Sequence, residues 1–124
     1  MSKHNVINEF NVVTSGLFTF ISKFYNDFSF DIAQEFEAYS INNPEEPIAN
    51  FVMHIYKNNV YKNGILGNDI DFILHIDETE SIIFSFILKQ IKDIWKKLEH
   101  KSKLYIMNCL RAMIKISSYY VKSI

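Results

Sequence analysis

Between Lys101 and Lys122, polar residues recur at Lys101, Asn108, Arg111, Lys115, Ser118 and Lys122, three, four or seven positions apart, with Ser102, Lys103 and Ser117 outside that series. Every other residue from Leu104 to Val121 except Ser117 is apolar or aromatic. Intervals of three, four and seven place side chains on one face of a helix, so the polar residues form a narrow stripe and the rest of the circumference needs cover. A helix of this kind sits at the centre of a bundle or against a second surface. This stretch, about Ser102 to Val121, therefore predicts an all-α fold built around it.

The preceding sequence supplies further helices. Val6, Phe10, Val13, Leu17, Phe20, Ile21 and Phe24 share a helical face, which predicts a first helix from about Asn5 to Tyr25. Gly16 within it costs about 1 kcal/mol relative to Ala, which implies a kink or a close neighbour. Phe28, Ile32, Phe36 and Tyr39 predict a second helix, capped by Ser29 and ending near Ser40. In the third, Asn43 is the expected cap, Pro44 suits the first helical position, and Glu45 and Glu46 meet the positive end of the helix dipole. Pro47 fits less well, so the regular helix is expected to start a few residues late.

Asn63-Gly64 and Gly67-Asn68 are turn dipeptides, so residues 58–69 are expected to form the main loop, followed by one or two helical turns at "IDFILHI". A fourth long helix runs from Thr79 to Leu98, with Asp77 or Thr79 as cap. The short "EHK" connection then makes the fourth and fifth helices an antiparallel hairpin. The expectation is one domain, residues 1–124, a bundle of about five helices; a chain of this length can bury roughly two-thirds of its unfolded surface.

A single cysteine forms no internal disulfide, which suggests a reducing, intracellular setting, and Cys109 within an apolar run reads as a small hydrophobe. The first ten residues do not resemble a secretory signal, and no stretch is long and apolar enough for a membrane span. Cys109 and His100 suggest a thiol and its base, but nine residues along a helix separate them by about 13 Å. His4, His54 and His75 lack metal-ligand spacing, and the acidic segment "GNDIDFILHIDETE" departs from a calcium loop at Phe72, Ile73 and Leu74. With phosphate loops and nucleophile elbows also absent, no catalytic residue, metal or cofactor is assigned.

Charge is unevenly distributed. Residues 1–88 carry four lysines against twelve acids, whereas residues 89–124 carry nine basic residues against Asp93 and Glu99, so the two halves should attract. Lys89, Lys92, Lys96, Lys97, Lys101 and Lys103 gather near the hairpin turn, where a basic patch beside Trp95 could hold phosphates or nucleic acid. The near-neutral total charge argues against that as the main role. Twelve of the thirteen basic residues are lysine, consistent with AT-rich coding, so a lysine at any position is weaker evidence for a chosen role than an arginine would be.

The stretch "IKDIWKKLEHKSKLYIMNCLRAMIKISSYYV" resembles the C-terminal helical hairpin of small uncharacterised proteins of large nucleocytoplasmic DNA viruses. The matching residues are Ile94, Trp95, Leu98, Lys101, Lys103, Tyr105 and Leu110; "ANFVMHIYKNNVYKNGILGNDIDFIL" is similar upstream, and Asn108 and Cys109 depart from the pattern. The resemblance spans roughly residues 49–121 and implies a small all-helical viral protein of the host cytoplasm or virion, with no chemistry to carry over. Poxvirus decoys with the helical apoptosis-regulator fold are similar only in helix number and a central apolar helix. The expected function is thus that of a non-enzymatic structural or interaction protein, oligomeric or bound to a protein partner through an aromatic-rich surface. Tyr119, Tyr120 and Val121 are the expected contact residues. A host-directed decoy that holds an amphipathic helix in a groove is the alternative.

Overall fold

Ser2 opens the first helix: its hydroxyl accepts the Asn5 amide at 3.2 Å, so α1 begins at Lys3, two residues earlier than the apolar spacing implies, and runs to Ser22. The computed structural model describes residues 2–24, 32–77 and 82–123, and all regular structure among them is helical. Val6, Phe10, Leu17, Phe18 and Ile21 form the buried face of α1. Thr14 lies among them with its hydroxyl donating back to the Phe10 carbonyl at 2.8 Å, which satisfies the buried oxygen. Phe24 lies just beyond the helix and is exposed.

Helix α2 spans Ile32–Asn42 and docks on α1 through Phe36, whose ring meets Phe18 edge-on at 4.6 Å. The start expected at Phe28 and Ser29 lies outside the described residues. Asn43 does not cap the next helix. Its side-chain amide donates to the Tyr39 carbonyl at 3.3 Å, finishing α2 instead. Helix α3, Glu46–Phe51, begins after Glu45 with Pro47 in its first turn, the late start that Pro47 implied. It widens into a π-helical turn at Val52–Tyr56, closed by the Lys57 amide on the Val52 carbonyl at 2.9 Å. The extra residue in that turn keeps Val52 and Ile55 buried after Phe51.

The expected loop over residues 58–69 is mostly helix. Asn58 accepts the Tyr61 amide at 3.1 Å and caps α4, Asn59–Leu66. Gly64 is not there for a turn, since no described residue has a positive φ. Its hydrogen faces the Phe72 ring, and an added Cβ would lie 2.0 Å from Phe72 Cζ. The glycine permits close packing of α4 on the 3₁₀ turn Phe72–His75, which buries Ile73.

Helix α5, Ile82–Trp95, buries Ile87, Leu88, Ile91, Ile94 and Trp95, and its expected caps at Asp77 or Thr79 lie at or beyond the edge of the described residues. Only residues 96–99 separate it from α6, His100–Ser123, because the Glu99 carbonyl already accepts the Ser102 and Lys103 amides at 3.0 Å. Helix α6 packs most extensively on α1 and also meets α3, the π turn and α4; α5 lies against α1 and the 3₁₀ turn. The described residues therefore hold six α-helices against an expected five or so for the chain, with α6 central. Ile106, Met107, Leu110, Met113, Ile114 and Tyr120 fill its core side.

The acidic and basic halves do meet. Trp95 Nε1 donates to Asp71 Oδ1 at 2.7 Å, and the Lys103 ammonium lies 3.9 Å from the same oxygen and 5.7 Å from the indole centre. At the other end of α6, Lys3 pairs with Glu45 at 2.8 Å and sits 6.0 Å from the Tyr120 ring centre.

Candidate functional site

Two contacts fix how α1 and α6 run past each other. Lys3 meets Tyr120 near one end, and Phe20 packs on Tyr105 with ring centres 4.4 Å apart and planes tilted by 40° near the other. The helices are thus antiparallel, and one flank of their seam is open to solvent. Phe24 is 43% exposed, Tyr105 44%, Tyr119 43%, and Val12 of α1 64%. Half-buried Val13, Phe20, Cys109 and Ile116 pack against the core from the same two helices. Phe20 links Phe24, 5.4 Å away, to Tyr105, giving a run of three rings.

Tyr105 and Cys109 are four residues apart and on the same face of α6. The phenol and the thiol are near enough to shift each other's proton affinity. Burial pushes the Cys109 thiol above its ordinary value, against the smaller opposite effect of the Tyr105 hydroxyl. The Tyr105 phenol is raised mainly by the neighbouring thiolate charge and further by burial. A thiol held protonated in this way is a poor nucleophile at neutral pH.

The neighbouring tyrosines of the expected contact set separate. Tyr119 faces solvent, whereas Tyr120 is 6% exposed and belongs to the core beside α1. The reason is the helical step of about 100° between consecutive residues, which sends them to different sides. Burial raises the Tyr120 phenol, and the Glu45 carboxylate adds to this. Val121 is half-buried against the core. Of the trio, Tyr119 alone offers a ring to the surface.

The basic patch divides as well. Lys103 is held by Asp71 and Trp95, and Lys92 donates to the Ile76 carbonyl where the 3₁₀ turn ends. Lys89, Lys96, Lys97 and Lys101 remain exposed around the α5–α6 connection. No group of three or more potential metal ligands occurs among the described residues. None of the described helices is long and apolar enough to cross a membrane.

A second surface feature was not legible from spacing. Arg111 reaches from α6 to the end of α4, where Nε donates to the Ile65 carbonyl and Nη2 to the Gly67 carbonyl, each at 3.0 Å. Nη1 donates to Asn108 Oδ1 at 3.0 Å. The guanidinium thereby satisfies carbonyls that a helix end leaves without partners. Beside it lies an open cleft of about 580 Å³ lined by Tyr56, Lys62, Leu66, Arg111, Ile114 and Lys115, with Lys62 4.7 Å from the Tyr56 ring centre. The sequence signal that could have led here is the isolated arginine in a lysine-rich chain.

Compared with protein-family models, curated proteins and solved structures, the chain shows no match.

Proposed function

We propose that the protein is a non-enzymatic structural or interaction protein that self-associates through the aromatic seam between α1 and α6. The observation that carries this reading is the run Phe24, Phe20 and Tyr105, continued along α6 by exposed Tyr119. Tyrosine and phenylalanine provide large contact area at low conformational cost, and exposed apolar patches of this sort favour partner surfaces. The resemblance to proteins of large DNA viruses supplies the proposed setting, host cytoplasm or virion; detection in purified particles tests the virion half of it.

Light scattering over a concentration series tests the self-association. The mass is expected to rise from the 14.6 kDa of one chain, and Tyr119→Lys and Tyr105→Lys are expected to hold it lower with helicity unchanged. A mass fixed at one chain throughout contradicts the reading.

The decoy alternative draws support from the α4–α6 cleft, where Lys62 and Lys115 flank exposed Leu66 and no acidic side chain contributes to the lining. Such a groove suits an acidic amphipathic helix. A chain that stays monomeric and binds such a helix, with binding lost in Lys62→Glu, favours this second reading.

A further inference from the structure

The outward face of α1 has a symmetry that the seam alone does not explain. Counting from Gly16, Val13 and Val12 lie three and four residues before it, and Thr19 and Phe20 three and four after. Glu9 lies seven before and Lys23 seven after. At about 100° per residue all seven positions fall within about 60° of Gly16, so they form a single strip down the helix. Glu9, Val12, Thr19 and Lys23 are exposed and the others half-buried. The strip is uncharged in the middle and carries opposite charges at equal distances from its centre.

We infer that a second copy of this chain docks on that strip, antiparallel, across a two-fold axis at Gly16. This rests on the self-association proposed above and specifies its geometry. Reversal of the second copy brings each Glu9 to the other copy's Lys23 and each Val12 to the other's Phe20, and the two-fold axis makes both contacts twice. A parallel copy would instead set Glu9 against Glu9 and Lys23 against Lys23, so charge selects the antiparallel arrangement.

Gly16 supplies the crossing point. A Cβ built there meets no described residue within 4 Å, and the missing side chain lets two helix axes approach closely. The same approach accounts for a glycine in this helix where no described neighbour requires one. Neither Glu9 nor Lys23 forms an ion pair with a described residue of its own chain. Lys23 lies 6.0 Å from the Phe20 ring centre, at the rim of the apolar patch, and Tyr105 packed on Phe20 extends that patch on to α6.

Sedimentation equilibrium of the full chain and three variants tests the pairing. Glu9→Lys and Lys23→Glu are each expected to weaken association by about tenfold, since each places like charges together twice. The double swap, Glu9→Lys with Lys23→Glu, is expected to restore most of it. In a second measurement, Gly16→Cys in a Cys109→Ala background should form a disulfide between copies on mild oxidation, because only a crossing at this residue brings the two Cα atoms within bonding range. A dimer in which the double swap is no tighter than the single swaps, or in which the thiol introduced by Gly16→Cys does not cross-link, overturns the pairing and leaves self-association standing. A chain that is monomeric at every concentration removes both.

Discussion

The indole nitrogen of Trp95 donates to Asp71 Oδ1 across twenty-four residues of sequence, and the tryptophan is 1% exposed. This bond ties the end of α5 to the segment before the 3₁₀ turn, joining the basic and acidic parts of the chain. Asp71→Ala leaves a buried N–H without its acceptor and is expected to cost about 1–3 kcal/mol in urea unfolding. Asp71→Asn keeps an acceptor in place and should cost less. Since Trp95 is the only tryptophan, its emission reports the change directly.

The glycines of α1 and α4 should respond in opposite ways. Gly64→Ala drives a methyl group into the Phe72 ring and is expected to destabilise by about 1–3 kcal/mol. Gly16→Ala adds a methyl group that meets no described residue, within a regular helix, and should stabilise by about 0.5–1 kcal/mol at concentrations where the chain is monomeric. Thermal unfolding of the two variants side by side checks both signs.

Arg111→Lys is expected to destabilise almost as much as Arg111→Ala, about 1–3 kcal/mol, because one ammonium cannot reproduce two directed bonds to Ile65 and Gly67. Hydrogen exchange should locate the loss in α4, with faster exchange over residues 59–67 and little change in α1. Equal protection in α4 in the variant and the parent would show that the guanidinium does not hold that helix.

Alkaline pH should weaken the fold. Cys109, Tyr105 and Tyr120 all have raised values in the folded chain, from ordinary values of 9.0 for the thiol and 10.0 for the phenols. Folding therefore favours the protonated forms: their contribution is fully present below the ordinary values and is lost as pH rises through the higher folded ones. Urea midpoints should be flat with respect to these groups near neutrality and fall above about pH 9. Iodoacetamide should label native Cys109 slowly at about pH 7 and much faster after unfolding.

Much of this architecture was legible because apolar spacing reports burial. The core side of α6 follows its apolar intervals, and so do Val6, Phe10, Leu17 and Ile21 of α1, whereas Val13 and Phe20 are half-buried, Phe24 is exposed and Phe18 fills the core outside the expected spacing. Helix α4 was hidden because Asn63-Gly64 reads as a turn, and only the tertiary approach of Phe72 explains a glycine inside a helix there. Asn58, which caps α4, fell inside the segment read as the main loop. Apolarity alone did not separate Tyr119 from Tyr120, since on an almost wholly apolar helix the position of α1 decides which tyrosine is covered. Nor did the lysine cluster reveal that Lys103 is held by Asp71, a contact that depends on the fold bringing distant segments together.

Hydroxyl-radical footprinting at low and high protein concentration tests most directly whether the α1–α6 seam is the contact surface. Phe24, Tyr105 and Tyr119 lie along the seam, while Met53, 65% exposed and outside α1 and α6, serves as the internal reference. The three seam aromatics are expected to lose reactivity as concentration rises while Met53 keeps its own. Unchanged reactivity at the seam, or protection at Met53 in its place, would contradict a contact surface at the seam.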